Sequence, residues 1–216
     1  MTDTRGAINM KLTSSDLTDH QPVPSRFAVG KLADDAPMAL SDNVSPNLAW
    51  QDAPSSTRSF VLLCVDPDVP SVADDVNQEG RLLPADMPRV DFFHWVMVNI
   101  PADVTELATG QCSDGVTVKG KQKPKGPAGA RQGLNDYTSF MAGNPDMAGK
   151  YFGYDGPCPP WNDERLHHYV FTIYALDTDQ LDFPDEFTGP DVQQAIAGHV
   201  LAQASLTGTY TLNPAL

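Results

Sequence analysis

A chain of 216 residues with 41% hydrophobic content can fill one core well but not two full domains. Its formal net charge of −14 weighs against nucleic acid and anionic membrane surfaces as partners, because like charges repel at long range. No apolar run approaches the length that spans a bilayer, which excludes stable membrane insertion through a helix. The opening MTDTRGAINMKLTSSDL has no apolar run behind a basic start, so no secretory leader is expected and a cytoplasmic location is. Cys64, Cys112 and Cys158 are odd in number and lack C-x-x-C spacing, which points to free thiols in a reducing compartment.

Taken in order, residues 1–45 carry short candidate strands at 10–12 and 26–29 among proline, serine and aspartate clusters, and read as edge structure. Residues 60–65 are apolar on both alternating faces, which predicts a central strand covered on each side. Pro67 and Pro70 are expected to stop it, since proline cannot donate to a ladder. Residues 71–91 read as an acidic surface excursion. Residues 94–99 return to strand character, with His94, Val96 and Val98 on one face and Phe93, Trp95 and Met97 on the other.

Residues 116–118 read as a short strand, and 119–153 as a loop of a length that is usually functional. Within it Lys119, Lys121, Lys123 and Lys125, followed by Arg131, form either a solvated run or a basic rim that guides an anion. Residues 156–177, GPCPPWNDERLHHYVFTIYALD, set a stiff proline-rich loop directly before a strand rich in aromatics and β-branched residues. On that strand His167 and Tyr169 share one face and His168 takes the other, so only one histidine of the pair enters a given pocket. A helix is predicted from Pro190, with a buried stripe of Val192, Ala195, Ile196, His199 and Val200. Gly198 weakens it by about 1 kcal/mol relative to alanine, so docking is expected to hold it. Residues 206–212 form a last strand. The sum is a mainly β, α+β single domain over residues 1–216 with long functional loops.

Asp66 ends one buried strand while His94, His167 and Tyr169 lie near the beginnings of others, so antiparallel pairing brings all four to one end of a sheet. A carboxylate beside an imidazole favours imidazolium, and imidazolium, a tyrosine hydroxyl and loop N–H groups all donate to an oxyanion. The chemistry predicted is anion binding. Each residue taken singly is more readily a core or surface histidine or a turn-forming aspartate. A competing reading makes Asp66, His94 and His167 a metal site or an acid–base set. No H-E-x-x-H, G-x-S-x-G or helix-opening phosphate loop supports that reading.

DPDVPS at 66–71, FHWVMVNIP at 93–101 and GPCPPWNDERLHHYVFTIYALD at 156–177 resemble the three signature blocks of the phosphatidylethanolamine-binding protein family, in the order of its bacterial Raf-kinase-inhibitor-like branch. SPNLAW at 45–50 and the C-terminal helix and strand also fit, so the resemblance runs from about residue 25 onward. It implies a central antiparallel sheet packed with a second smaller sheet, peripheral helices including a C-terminal one, and a small-anion pocket at one edge. It further implies binding of phosphate-like groups, phospholipid headgroups among them, in a regulatory and not a catalytic role, with no cofactor and no metal.

Carried over by motif, Asp66, His94, His167 and Tyr169 are ligand-binding, with Asp68, Pro70 and Gly156 beside them in the same blocks, and Asp66 orients the pocket histidine. The resemblance implies a cis Val69–Pro70 bond, another cis bond in Cys158-Pro159-Pro160, and a homodimer. The implied partners are a small phosphate-like or carboxylate anion and a protein such as a kinase or protease. The third block is widened by residues 161–165, and 71–91 and 119–153 are long, so Trp161, Tyr151 and the lysine loop are expected to reshape the pocket mouth. The alternatives are a hydrolase or lyase using the same residues, and an interaction module with a vestigial pocket.

Overall fold

The computed structural model describes residues 9–216; residues 1–8, on which the expectation of no leader partly rests, lie outside it. In chain order the strands are β1 (Lys11–Thr13), β2 (Gln21–Pro22), β3 (Gly30–Lys31), β4 (Ala39–Leu40), β5 (Leu48–Gln51), β6 (Ser59–Pro70), β7 (Arg89–Pro101), β8 (Glu106–Leu107) and β9 (Arg131–Gln132). The single-turn helix α1 (Tyr137–Phe140), β10 (His167–Leu176), α2 (Gly189–Ile196) and β11 (Val200–Tyr210) complete the chain.

The long runs of valine, isoleucine, leucine and aromatic residues become β6, β7, β10 and β11, the middle of a six-stranded sheet ordered β2-β11-β10-β6-β7-β9. Pairing within it is antiparallel except for the short parallel edge between β11 and β2. A second sheet, β1-β5-β8, covers one face, and β3 pairs with β4 in a separate ribbon. Trp50, Phe60, Leu62, Trp95, Met97, Phe171 and Ile173 fill the layer between the two larger sheets. Val61, Leu63, Phe93, Val96 and Val98 form a second layer on the opposite face, covered by Val192 and Ile196 of α2. With both faces covered, residues 60–64 are buried throughout, and each such aliphatic side chain contributes roughly 1.5–3 kcal/mol. No helix among the described residues is long and apolar enough to cross a membrane.

Several expectations are corrected. Pro67 and Pro70 do not stop β6. Asp66 pairs with Phe92 and Val69 with Val90, so Pro67 and Asp68 stand opposite Asp91 alone in a bulge, where Pro67 owes no ladder hydrogen bond. The strict face assignment of β7 also fails. Cys64 pairs with Trp95 but Val65 with Phe93, leaving His94 as an extra residue. Beyond that bulge Phe93 lies on the side of Val96 and Val98, while His94 turns to meet the Tyr169 ring at 5.0 Å.

Residues 26–29 are not a strand: Ser25–Phe27 is a 3-10 turn closed by the Ala28 N–H on the Ser25 carbonyl. Residues 116–118 find no ladder partner among the described residues, because Thr117 to Gly120 is a turn and Val118 is exposed. Helix α2 ends at Ile196. Gly198, at φ +89°, turns the chain so that His199 leaves the stripe and Val200 begins β11. Among the described residues there is no cis peptide bond, against the expectation for Val69–Pro70 and for Cys158-Pro159-Pro160. Val69 and Pro70 continue the extended ladder to Val90 and Arg89, which a trans bond accommodates.

Candidate functional site

Strand β6 ends, and β7 and β10 begin, at one end of the large sheet, where a cavity of about 240 Å3 opens. Asp66 from β6, His94 from β7 and His167 and Tyr169 from β10 line it and are all buried. Pro70 also lines it, as do Tyr151 and Asp155. Asp68 and Gly156 do not. Asp68 points away, accepting hydrogen bonds from Arg165 Nε at 2.6 Å and from the His168 backbone at 3.0 Å. Burial alone would raise its carboxyl, but these bonds and one to the His168 ring hold it below the usual carboxylate range. Gly156 answers a packing demand, since a Cβ there would meet the Phe27 carbonyl oxygen at 2.0 Å. Trp161 packs against the main core instead of the cavity mouth.

The pocket histidine of β10 is held from both ends. Its Nδ1 is 2.6 Å from Asp66 Oδ2, and its Nε2 is 3.1 Å from Asp163 Oδ2. Asp163 is itself clamped by Arg89, with Nη1 at 2.5 Å and Nη2 at 2.9 Å, and Arg89 also donates to the carbonyls of Asp68 and Pro84. Burial alone would lower the His167 pKa, yet the bonds its ring N–H groups donate to Asp163 and Asp66 raise it to about 9. Asp163 is held below its ordinary range, the bonds from His167 and Arg89 outweighing burial. His167 is therefore an imidazolium between two carboxylates, with no ring N–H left over for a ligand.

His94 differs. Its Nδ1 lies 2.7 Å from the Asp155 carbonyl oxygen, which can only accept, so Nδ1 carries the proton. Burial lowers its pKa against the opposing pull of Asp66, so the ring is neutral and Nε2 is a bare acceptor. Among the described residues Nε2 has no hydrogen-bond partner. The Tyr169 ring meets the His94 ring at 5.0 Å; its hydroxyl is buried with no partner among the described residues, and burial pushes its pKa well up, which keeps it a donor. Asp155 is fully committed, accepting from Asn43 at 2.8 Å, Lys121 at 2.7 Å and Asn135 at 2.8 Å. Lys121 of the lysine run thus braces the site, while Lys119, Lys123 and Lys125 do not line the cavity. The walls above are apolar: Met38, Val76, Phe92, Phe140, Met141 and Met147.

A donor and an acceptor without partners in the polar floor suit the head of a small oxyacid, and the apolar walls suit a body attached to it. The residues do not fit the metal alternative, because both His167 nitrogens face carboxylates and no cluster of three or more suitable ligands occurs among the described residues. Sequence reasoning missed Asp163, Arg89 and Asp155. Asp163 stands four residues before His167, but only the curl of the 156–166 loop aims it back at the ring. Arg89 and Asp155 carry no local signal.

The family model described as phosphatidylethanolamine-binding protein matches residues 13–211. The UPF0098 protein YbhB of Escherichia coli is 34% identical, the match covering 94% of this chain and 100% of that protein. A UPF0098 protein of Methanothermobacter thermautotrophicus is 32% identical over 93% of this chain and 98% of its own. Among solved structures, E. coli YbcL, described as a member of the mammalian PEBP family, superposes with a TM-score of 0.66 at 27% identity, covering 94% of this chain and 98% of that one. The Chlamydia trachomatis homologue CT736 gives 0.61 at 27% identity, with the same coverage.

Proposed function

This chain belongs to the phosphatidylethanolamine-binding protein family, and we propose that it captures the oxyanion head of a small phosphate-like molecule in the cavity floored by Asp66, His94 and Tyr169. Family membership supports a general ligand-binding or regulatory role, and the cavity chemistry narrows it. The observation that carries the reading is the Tyr169 hydroxyl, buried without a partner among the described residues on a ring that meets the His94 ring at 5.0 Å. A buried hydroxyl left unpaired costs roughly 1–3 kcal/mol, which a ligand oxygen accepting from it would recover. His167, Asp66, Asp163 and Arg89 hold the floor in shape and do not donate to the ligand. The unpaired thiols of Cys64, Cys112 and Cys158 support a reducing, cytoplasmic setting.

The test is calorimetric titration of phosphate and phosphoethanolamine at pH 6 into the wild type and Tyr169→Phe. Binding in the wild type and a weakening of roughly tenfold or more in the variant is the expected result. No heat with either ligand, or equal affinity in the variant, would remove the reading.

A further inference from the structure

Among the described residues the cavity floor offers no uncommitted cation. The titratable groups around His94 are Asp66 on β6, His167 and Tyr169 on β10, Asp155 in the loop before β10, and Tyr137 on α1. The His167 ring lies between Asp66 and Asp163, Arg89 clamps Asp163, Lys121 binds Asp155, and the Tyr137 hydroxyl donates to the Gly156 carbonyl. Among the described residues two groups remain without a partner: one donor, the buried Tyr169 hydroxyl, and one acceptor, His94 Nε2. A fully ionised oxyanion presents acceptors only. It would set a lone pair against Nε2 with the Asp66 carboxylate near by, and no cation would offset either contact.

We infer that the site selects a proton-bearing oxyacid, a phosphomonoester in its singly protonated form, over phosphodiesters and fully ionised anions. The P–OH group donates to His94 Nε2 while a second phosphoryl oxygen accepts from the Tyr169 hydroxyl. This deepens the anion-site reading and rests on it. A dianion meeting His94 as imidazolium is the same complex with the proton moved along one hydrogen bond, so the invariant is one proton shared between ligand and ring. A monoester loses that proton near pH 6, and burial holds His94 below its ordinary value. Above about pH 6.5 both free partners lack it, so binding takes up about one proton and weakens about tenfold per pH unit. A diester brings no such proton and must wait for His94 itself to protonate.

The experiment is calorimetry of phosphoethanolamine and of glycerophosphoethanolamine, a monoester and a diester of one headgroup, at pH 6.5, 7.5 and 8.5 in two buffers of different ionisation enthalpy. Expected for the monoester at pH 7.5 are uptake of about one proton, Kd rising about tenfold by pH 8.5, and affinity roughly tenfold or more above that of the diester. His94→Gln is expected to lose both the proton uptake and the discrimination. Should that variant not fold, the wild-type proton count and the monoester-to-diester ratio decide alone. Monoester binding without proton uptake, or diester binding of equal strength, overturns this inference and leaves the anion site standing. Silence from both ligands at every pH overturns the anion site as well.

Discussion

Tyr169 and His167 share a strand face and a cavity, yet replacing them should have opposite signatures. Tyr169→Phe removes a buried hydroxyl that has no partner, so stability is expected to stay level or rise by about 1 kcal/mol while ligand affinity falls. Urea denaturation reads the first half, and a loss above about 1 kcal/mol would show that the hydroxyl is satisfied in the folded protein. Asp163→Ala strips the carboxylate that lies between His167 and Arg89 and leaves two buried cations facing each other. A loss of about 3–5 kcal/mol is expected, and a loss under about 1 kcal/mol would mean that the network contributes little. His167→Ala, which looks like a ligand-contact test, leaves buried Asp66 Oδ2 without a partner and takes one of two donors from Asp163 Oδ2, which keeps Arg89 Nη1. It should act mainly through stability.

At the scale of elements, bulges place the site. The extra residue in β7 aims His94 at the cavity, and the bulge at Pro67 and Asp68 lets β6 reach Pro70 and line the mouth. Helix α2 supports this from the opposite face. Asp191 accepts from the Thr188 backbone N–H at 2.8 Å and from its hydroxyl at 2.7 Å, fixing the first turn, and Gly189 lies flat on Phe93. A Cβ at Gly189 would come 2.1 Å from the Phe93 ring, adjacent to His94. Gly189→Ala is accordingly expected to cost at least about 1–3 kcal/mol and to weaken ligand binding by displacing the bulge; unchanged melting would mean that α2 shifts freely.

For the whole molecule the buried histidines set the pH range of stability. His167, with a folded pKa of about 9 against 6.5 unfolded, contributes stability that is full below pH 6.5 and is lost as pH rises through 9. His94 is held below 6.5, so its contribution is present above pH 6.5 and is lost as pH falls through its folded value. Asp68 and Asp163, held below 3.8, add stability above that value that is lost at still lower pH. Maximum stability is thus expected near pH 6–7, falling by on the order of 3 kcal/mol toward pH 9. Melting temperatures from pH 5 to 10 check this, and a curve flat from 6.5 to 9 would show His167 neutral in the fold. Tightest binding and greatest stability would then meet on the mildly acidic side of neutrality.

The central strands, the docking of α2 and the shared face of His167 and Tyr169 were legible in the sequence because each rests on local periodicity. Asp66, His94, His167, Tyr169 and Pro70, which the family resemblance singled out, line the cavity. The turn at 25–27, the continuation of β6 through two prolines and the end of α2 were not legible, since ladder partners override local punctuation. What the sequence by itself determined was which side chains stand on which strand. Tertiary structure alone decided what each of them does: the bulge that turns His94, the carboxylate on either end of His167, and the buried hydroxyl of Tyr169 left without a partner. The physical reason is separation along the chain. Arg89 meets Asp163 across 74 residues and Asp66 meets His167 across 101, and no local pattern records such a register.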